Sequence, residues 1–116
     1  KKKVIRKTYQ KLIKKLNNFT LEKSPDYSSN NNWMNVVRFK KSNKLNTENL
    51  VKYFYKHKIQ VRPIWFLNHM QKPYKAYEKY KITNAKKIID SCLCLPSSSN
   101  LKILEIKKIC KLLENF

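Results

Sequence analysis

The sequence predicts an α/β fold of the layered α+β kind: one small sheet of about three short strands with helices packed on it. Apolar residues recur at helical spacing near both ends, and three short apolar runs lie between helix-period stretches. The order reads helix, strand, helix, strand, loop, helix, strand, helix, an alternation that layers helices against a sheet. At 116 residues the chain is one small domain, and its 41 % hydrophobic content supports a core of modest size.

Val4, Ile5, Tyr9, Leu12, Ile13 and Leu16 form one stripe with lysines between them, so Lys1–Leu16 reads as an amphipathic helix ended by Asn17-Asn18. A chain that opens inside such a helix is expected to be part of a longer one. Residues 19–32 are polar, with Ser24-Pro25 and a run of Ser and Asn, and read as an irregular connection. Trp33–Phe39 is apolar on both faces at its centre and reads as a covered strand. Thr47 is the expected N-cap of the next helix, with Glu48 in its first turn and Leu50, Val51, Phe54 and Tyr55 inward. Ile59–Val61 is the second expected strand. Tyr74–Tyr80 reads as a helical turn. Thr83 is expected to cap a helix to about Ser91, with Ala85, Ile88 and Ile89 inward. Cys92–Leu95, halted by Pro96, is the third strand. Ser97–Asn100 should turn the chain into a last helix with Ile103, Ile106, Ile109, Cys110 and Leu113 on its apolar face.

The chain has no glycine, so every left-handed position falls to another residue at some cost. A net charge of +20 raises nucleic-acid or polyanion binding as one reading. Two features weaken specific recognition. Only three basic residues are arginine, the side chain suited to bidentate contacts, and the lysine excess runs through the whole chain alongside much Asn and Ile. Such a pattern fits compositional drift, while non-specific polyanion binding at low salt remains expected. Cys92, Cys94 and Cys110 match no zinc spacing and read as reduced, packed thiols of a cytoplasmic protein. No apolar run reaches about 18 residues, so no membrane span is expected.

The densest stretch is Arg62–Tyr74. It holds one of the three arginines, one of two tryptophans, one of two histidines and two of four prolines, the mark of an ordered functional loop. The run Arg62-Pro63-Ile64-Trp65-Phe66-Leu67-Asn68-His69-Met70-Gln71 resembles a signature of the DegT-type nucleotide-sugar aminotransferases, Arg-Pro-x-Trp-x-Pro-x-His-x-Gln. Other segments resemble the same family in order: Asn32-Trp33-Met34 at a strand start, Lys58–Pro63 before the loop, and Ile88–Ser97 ending in Leu-Pro-Ser. Lys58 stands where the family prefers glycine, Val61 where it has threonine, and Leu67 where it has proline.

The resemblance implies that residues 1–116 are the C-terminal small domain of an aspartate-aminotransferase-like fold, with residues 1–18 a leading helix continuing from a large N-terminal domain. It implies a parent enzyme that uses pyridoxal phosphate, held mainly by that large domain, to move an amino group from glutamate to a keto nucleotide-sugar. Products of such enzymes are 4-amino-4,6-dideoxy sugars for surface polysaccharides. The parent would be a cytoplasmic homodimer, and the piece alone would lack the catalytic lysine. The candidate substrate-binding residues are Arg62, His69, Trp65, Asn32 and Trp33. Each also has a structural alternative: an ion pair for Arg62, a satisfied loop residue for His69, core packing for Trp65, strand entry for Asn32 and Trp33. Two other readings stand beside this one, a small basic module for nucleic acid or polyanions and a decayed remnant of the enzyme. If the loop has lost a covering domain, Ile64, Trp65, Phe66 and Leu67 should be exposed, and the first helix should show an apolar stripe only partly covered.

Overall fold

A computed structural model describes residues 1–116. Helix α1 (Lys2–Ile13) leads to strand β1 (Phe19–Leu21) and, after a long connection, strand β2 (Asn35–Phe39). Helix α2 (Thr47–Lys56), the two-residue strand β3 (Arg62–Pro63), and two 3-10 turns (Asn68–Met70 and Lys72–Tyr74) follow. Helix α3 (Asn84–Ile89), strand β4 (Cys92–Leu95) and helix α4 (Ile103–Asn115) complete the chain. The sheet has four strands in the order β1-β2-β4-β3, all antiparallel.

The fourth strand is the segment read as irregular. Phe19 and Leu21 point inward and Thr20 outward, and they pair with Phe39, Val37 and Arg38. Three residues are too few for a period-two signal to stand out, so only pairing with β2 reveals the strand. The second expected strand is displaced from Ile59–Val61 to Arg62–Pro63. The amide of Ile59 is already committed to closing α2, where it donates to the Phe54 carbonyl. Pro63 has no N–H to extend the ladder, so β3 stays a short edge.

One face of the sheet carries the core. Val37, Phe39, Leu93 and Leu95 meet Ile5, Tyr9 and Ile13 of α1, Leu50 and Phe54 of α2, and Ile106, Ile109 and Leu113 of α4. The α1 stripe is therefore more covered than expected: Ile5, Tyr9 and Ile13 are buried, and only Val4 at its margin is mostly exposed. Helix α4 lies against α1 and supplies the missing cover. Ile103 falls outside the α4 stripe and is exposed, while Ile106 in the same turn is buried. Helix α3 packs outside the core, with none of its residues buried and Ile88 exposed, contrary to its apolar pattern.

Local chemistry sets the helix ends. Asn46, not Thr47, caps α2: it is extended, and its Oδ1 accepts from the Asn49 amide at 2.9 Å. Thr47 becomes the first helical residue, with its buried hydroxyl unpaired. At the other end the Lys58 amide donates to Tyr55 O at 2.9 Å and the Ile59 amide to Phe54 O at 3.0 Å. These are the two bonds of a Schellman cap, which requires a left-handed residue, and Lys58 supplies it at φ 58°. Thr83 makes no side-chain cap on α3, and the cap of α4 comes from Glu105, whose carboxylate accepts the Lys102 amide at 2.7 Å. The turn expected over 97–100 is closed by the Leu101 amide on Ser98 O.

Asn35 is the one fully buried polar side chain. Its backbone N–H and its Nδ2 both donate to Ser97 Oγ, at 3.2 and 2.9 Å, and Ser97 Oγ donates to Leu95 O at 3.0 Å. Arg6 Nη1 reaches Asn35 Oδ1 at 3.5 Å, and Tyr9 donates its hydroxyl to Pro96 O at 2.9 Å. Burial lowers the Arg6 pKa, with the nearby Glu22 carboxylate opposing, and burial raises those of Tyr9 and Cys110, the latter to about 12.

Two stability changes are expected. Lys58→Gly should stabilise the chain by roughly 0.5–1 kcal/mol, because glycine takes the left-handed cap without a Cβ penalty. Asn35→Ala should cost about 2–3 kcal/mol by removing the buried Nδ2 bond to Ser97 Oγ and the Oδ1 contact to Arg6 and leaving a cavity in their place. Urea denaturation followed by circular dichroism reads both.

Candidate functional site

Register places the site chemistry on the sheet face opposite the core. Arg62 pairs with Cys94 and Val36 pairs with Cys94 from the other side, while Leu93 and Val37 point inward. Arg62 thus stands on the outer face at the β3 edge, exposed, with no hydrogen bond and no ion pair. The structural salt bridge considered for it is absent: the arginine paired to a carboxylate is Arg38, whose Nε lies 2.6 Å from Glu22.

Beside Arg62 the two tryptophans meet. The rings of Trp33 and Trp65 are 6.0 Å apart at 40°, a tilted contact between residues far apart in sequence. Trp33 is 62 % exposed and Trp65 66 %. With Lys2, Cys94 and Ser97 they and Arg62 line a cleft of about 380 Å³ whose lining includes no carboxylate. The combination of two flat apolar walls and a free guanidinium suits a ligand with a ring or sugar face and an oxyanion. A second cleft of about 540 Å³ shares Arg62, Cys94 and Ser97 with the first and is also lined by Lys58, Gln60 and Glu105.

The other two candidates are elsewhere. Asn32 sits at φ 55°, and its N–H and Nδ2 are spent on Asn30, at 2.6 and 3.0 Å. It lines a separate polar cleft with Arg6, Lys7 and Asp26. Its neighbour Trp33 leaves in the opposite sense, so only one of the pair joins the tryptophan cleft. His69 is half-buried in the first 3-10 turn and does not border the cleft. Leucine stands in this loop where the resembling signature has proline. Leu67 holds φ −63°, the angle a proline ring would impose, and Gln71 Nε2 braces the turn through Phe66 O at 3.2 Å. Phe66 is 71 % exposed, while Ile64 and Leu67 are half-buried, so the loop presents much of the apolar surface expected of it.

Sequence reasoning missed Lys2, Asn35 and Ser97. Lys2 is hidden in a run of three lysines. Asn35 did carry a signal: it shares the inward alternation of Val37 and Phe39, and a polar residue there must find partners.

Solved structures share this fold. The DesI crystal structure determined in the presence of its TDP-sugar product superposes with a TM-score of 0.85 at 14 % identity, covering 98 % of this chain and 30 % of that one. The aminotransferase TlmJ of Streptoalloteichus hindustanus gives 0.82 at 12 % identity, with the same two coverages of 98 % and 30 %. An aminotransferase of Brucella abortus gives 0.81 at 16 %, covering 99 % and 30 %. The chain therefore spans about 30 % of the length of the structures it resembles. No curated protein sequence matches it. The sequence profile that does match, over residues 1–114, places the chain in the DegT/DnrJ/EryC1/StrS aminotransferase family.

Proposed function

We propose that the chain is the C-terminal small domain of a pyridoxal-phosphate-dependent enzyme that transfers an amino group from glutamate to a keto nucleotide-sugar, as in the making of 4-amino-4,6-dideoxy sugars for polysaccharides. The observation that carries the reading is the cleft of Arg62, Trp33 and Trp65: an unpaired cation beside two exposed aromatic walls. Arg62 would bind an anionic group of the substrate, and the tryptophans would pack against its sugar or base. Asn32 and His69, which lie outside the cleft, would reach substrate only from neighbouring surfaces. The solved relative with a TDP-sugar product supports this substrate class.

The residues present do not by themselves make a pyridoxal phosphate site. Such a site needs a desolvated lysine, and every lysine here except Lys2 is exposed, while the Lys2 ammonium is bonded to the Ser97 carbonyl. On this reading the cofactor lysine and most cofactor contacts would belong to a large N-terminal domain. When bound there, the cofactor supplies the electron sink for amino transfer. This chain's share is to bind and orient substrate and to exclude water. The exposed Trp65 and Phe66 would lie against the large domain, in a homodimeric cytoplasmic parent.

The polyanion reading has less support. Exposed lysines occur on α1, α2 and α4 and also through the connections, Lys40, Lys41, Lys72 and Lys75 among them, so they are not confined to one element. No helix is long and apolar enough to cross a membrane.

Three outcomes are expected. Both tryptophans line the cleft, so intrinsic fluorescence should respond to UDP or TDP, and Arg62→Gln should weaken that binding about tenfold. Unchanged affinity in the variant would remove Arg62 from the site. Borohydride reduction after mixing with pyridoxal phosphate should leave no stoichiometric adduct on any one lysine; such an adduct would put the cofactor lysine in this chain. Gel shifts with short RNA at about 0.15 M salt should be weak and indifferent to sequence, and tight sequence-dependent binding would favour the basic-module reading.

A further inference from the structure

We propose that Lys2 is a second anion-binding residue of the tryptophan cleft, forming with Arg62 a two-point cationic clamp for a phosphate- or carboxylate-type oxyanion. The inference rests on the cleft reading above and adds a residue from the far end of the chain.

Lys2 differs from the other lysines in three ways. It alone is partly buried, while the other twenty-three are exposed. It stands one turn before Ile5 and Arg6 on the same side of α1. Its Nζ donates to the Ser97 carbonyl, and this anchors the ammonium at the cleft wall. An ammonium has three protons, so this bond leaves others for a ligand. A lysine held in place has already lost much of the rotamer freedom that makes exposed lysines poor ligands.

The surroundings ask for an anion. Lys2 and Arg62 line the same cleft of about 380 Å³, and none of its lining residues is acidic. Neither side chain belongs to an ion pair. Two like charges sharing a small concave site repel unless an anion sits between them. The nearby Ser97 hydroxyl cannot hold that anion, because Ser97 Oγ already accepts two N–H groups and donates to Leu95 O. The cations must therefore supply the polar recognition, with Trp33 and Trp65 holding the apolar part of the ligand. The Ser97 corner has a second use here. Asn35 and Tyr9 pin the corner from below, and the corner in turn aims Lys2.

The whole chain is titrated at about 0.15 M salt, with the fluorescence of its two tryptophans as readout. Inorganic pyrophosphate and glutarate serve as probes, and comparing them separates a phosphate source from a carboxylate source. Lys2→Gln should weaken binding of the preferred probe about fivefold, as losing one charge-assisted contact does. Lys3→Gln removes the same charge from the adjacent position, which lines the separate polar cleft of Asn32, and should change affinity less than about twofold. Circular dichroism of both variants checks that they fold. If Lys2→Gln binds both probes as the unaltered chain does while Arg62→Gln does not, the clamp is overturned and the cleft reading stands. Should Lys2→Gln and Lys3→Gln weaken binding equally, the effect is one of net charge and the clamp is again overturned. If neither probe binds the unaltered chain, both the clamp and the cleft reading fall.

Discussion

The corner at Pro96-Ser97 holds the molecule together where β4 leaves the sheet. Ser97 Oγ takes both N–H groups that Asn35 offers and returns a bond to Leu95 O; the Pro96 carbonyl takes the Tyr9 hydroxyl; the Ser97 carbonyl takes Lys2. Helix α1 and strands β2 and β4 are thereby tied at one point. Asn35 is buried without exposure, so its amide would cost several kcal/mol there were it left unpaired. A satisfied polar network of this kind fixes one arrangement of the layers, where a purely apolar contact would tolerate sliding. The site inherits that precision, because Lys2 lies on α1, Trp33 leads into β2, and Arg62 pairs with Cys94 of β4.

The sheet face opposite the core carries the polar chemistry of this chain. Val37 and Leu93 point into the core; their strand neighbours Val36, Arg38, Cys92 and Cys94 point the other way. Arg38 is neutralised by Glu22, with which it forms a close charge-assisted pair that raises the arginine pKa. Arg62 has no such companion. That contrast, on the same face of one sheet, separates a structural arginine from one available to a ligand.

The lack of glycine shows how a backbone demand survives a change of residue. Three residues occupy positive φ: Asn32, Lys58 and Lys81. At Lys58 the demand comes from the Schellman cap of α2, and the two cap bonds together with the burial of Phe54 outweigh the penalty of a lysine there. Leu67 illustrates the same logic at a proline position, holding the required φ with help from Gln71.

Much was legible from local pattern. The long helices follow from apolar spacing in α1, α2 and α4; β2 and β4 follow from compact apolar runs; the left-handed Lys58 and the exposed Trp65 and Phe66 follow from the family resemblance. These are properties that a short window of residues determines, since period, capping and turn chemistry act over one or two turns. Tertiary structure alone decided the rest. Strand β1 exists because β2 offers an edge to pair with. Helix α3 is left outside the core although Ile88 and Ile89 give it an apolar pattern. Asn46 takes the cap in place of Thr47. The site was half visible: Arg62 and Trp65 stand in one informative run, yet the tryptophan pair, the Lys2 ammonium and the turning away of Asn32 depend on which elements the fold brings side by side. Periodicity specifies which face of an element is apolar, while the choice of what meets that face rests on non-local contacts between residues up to 95 positions apart, as Lys2 and Ser97 are.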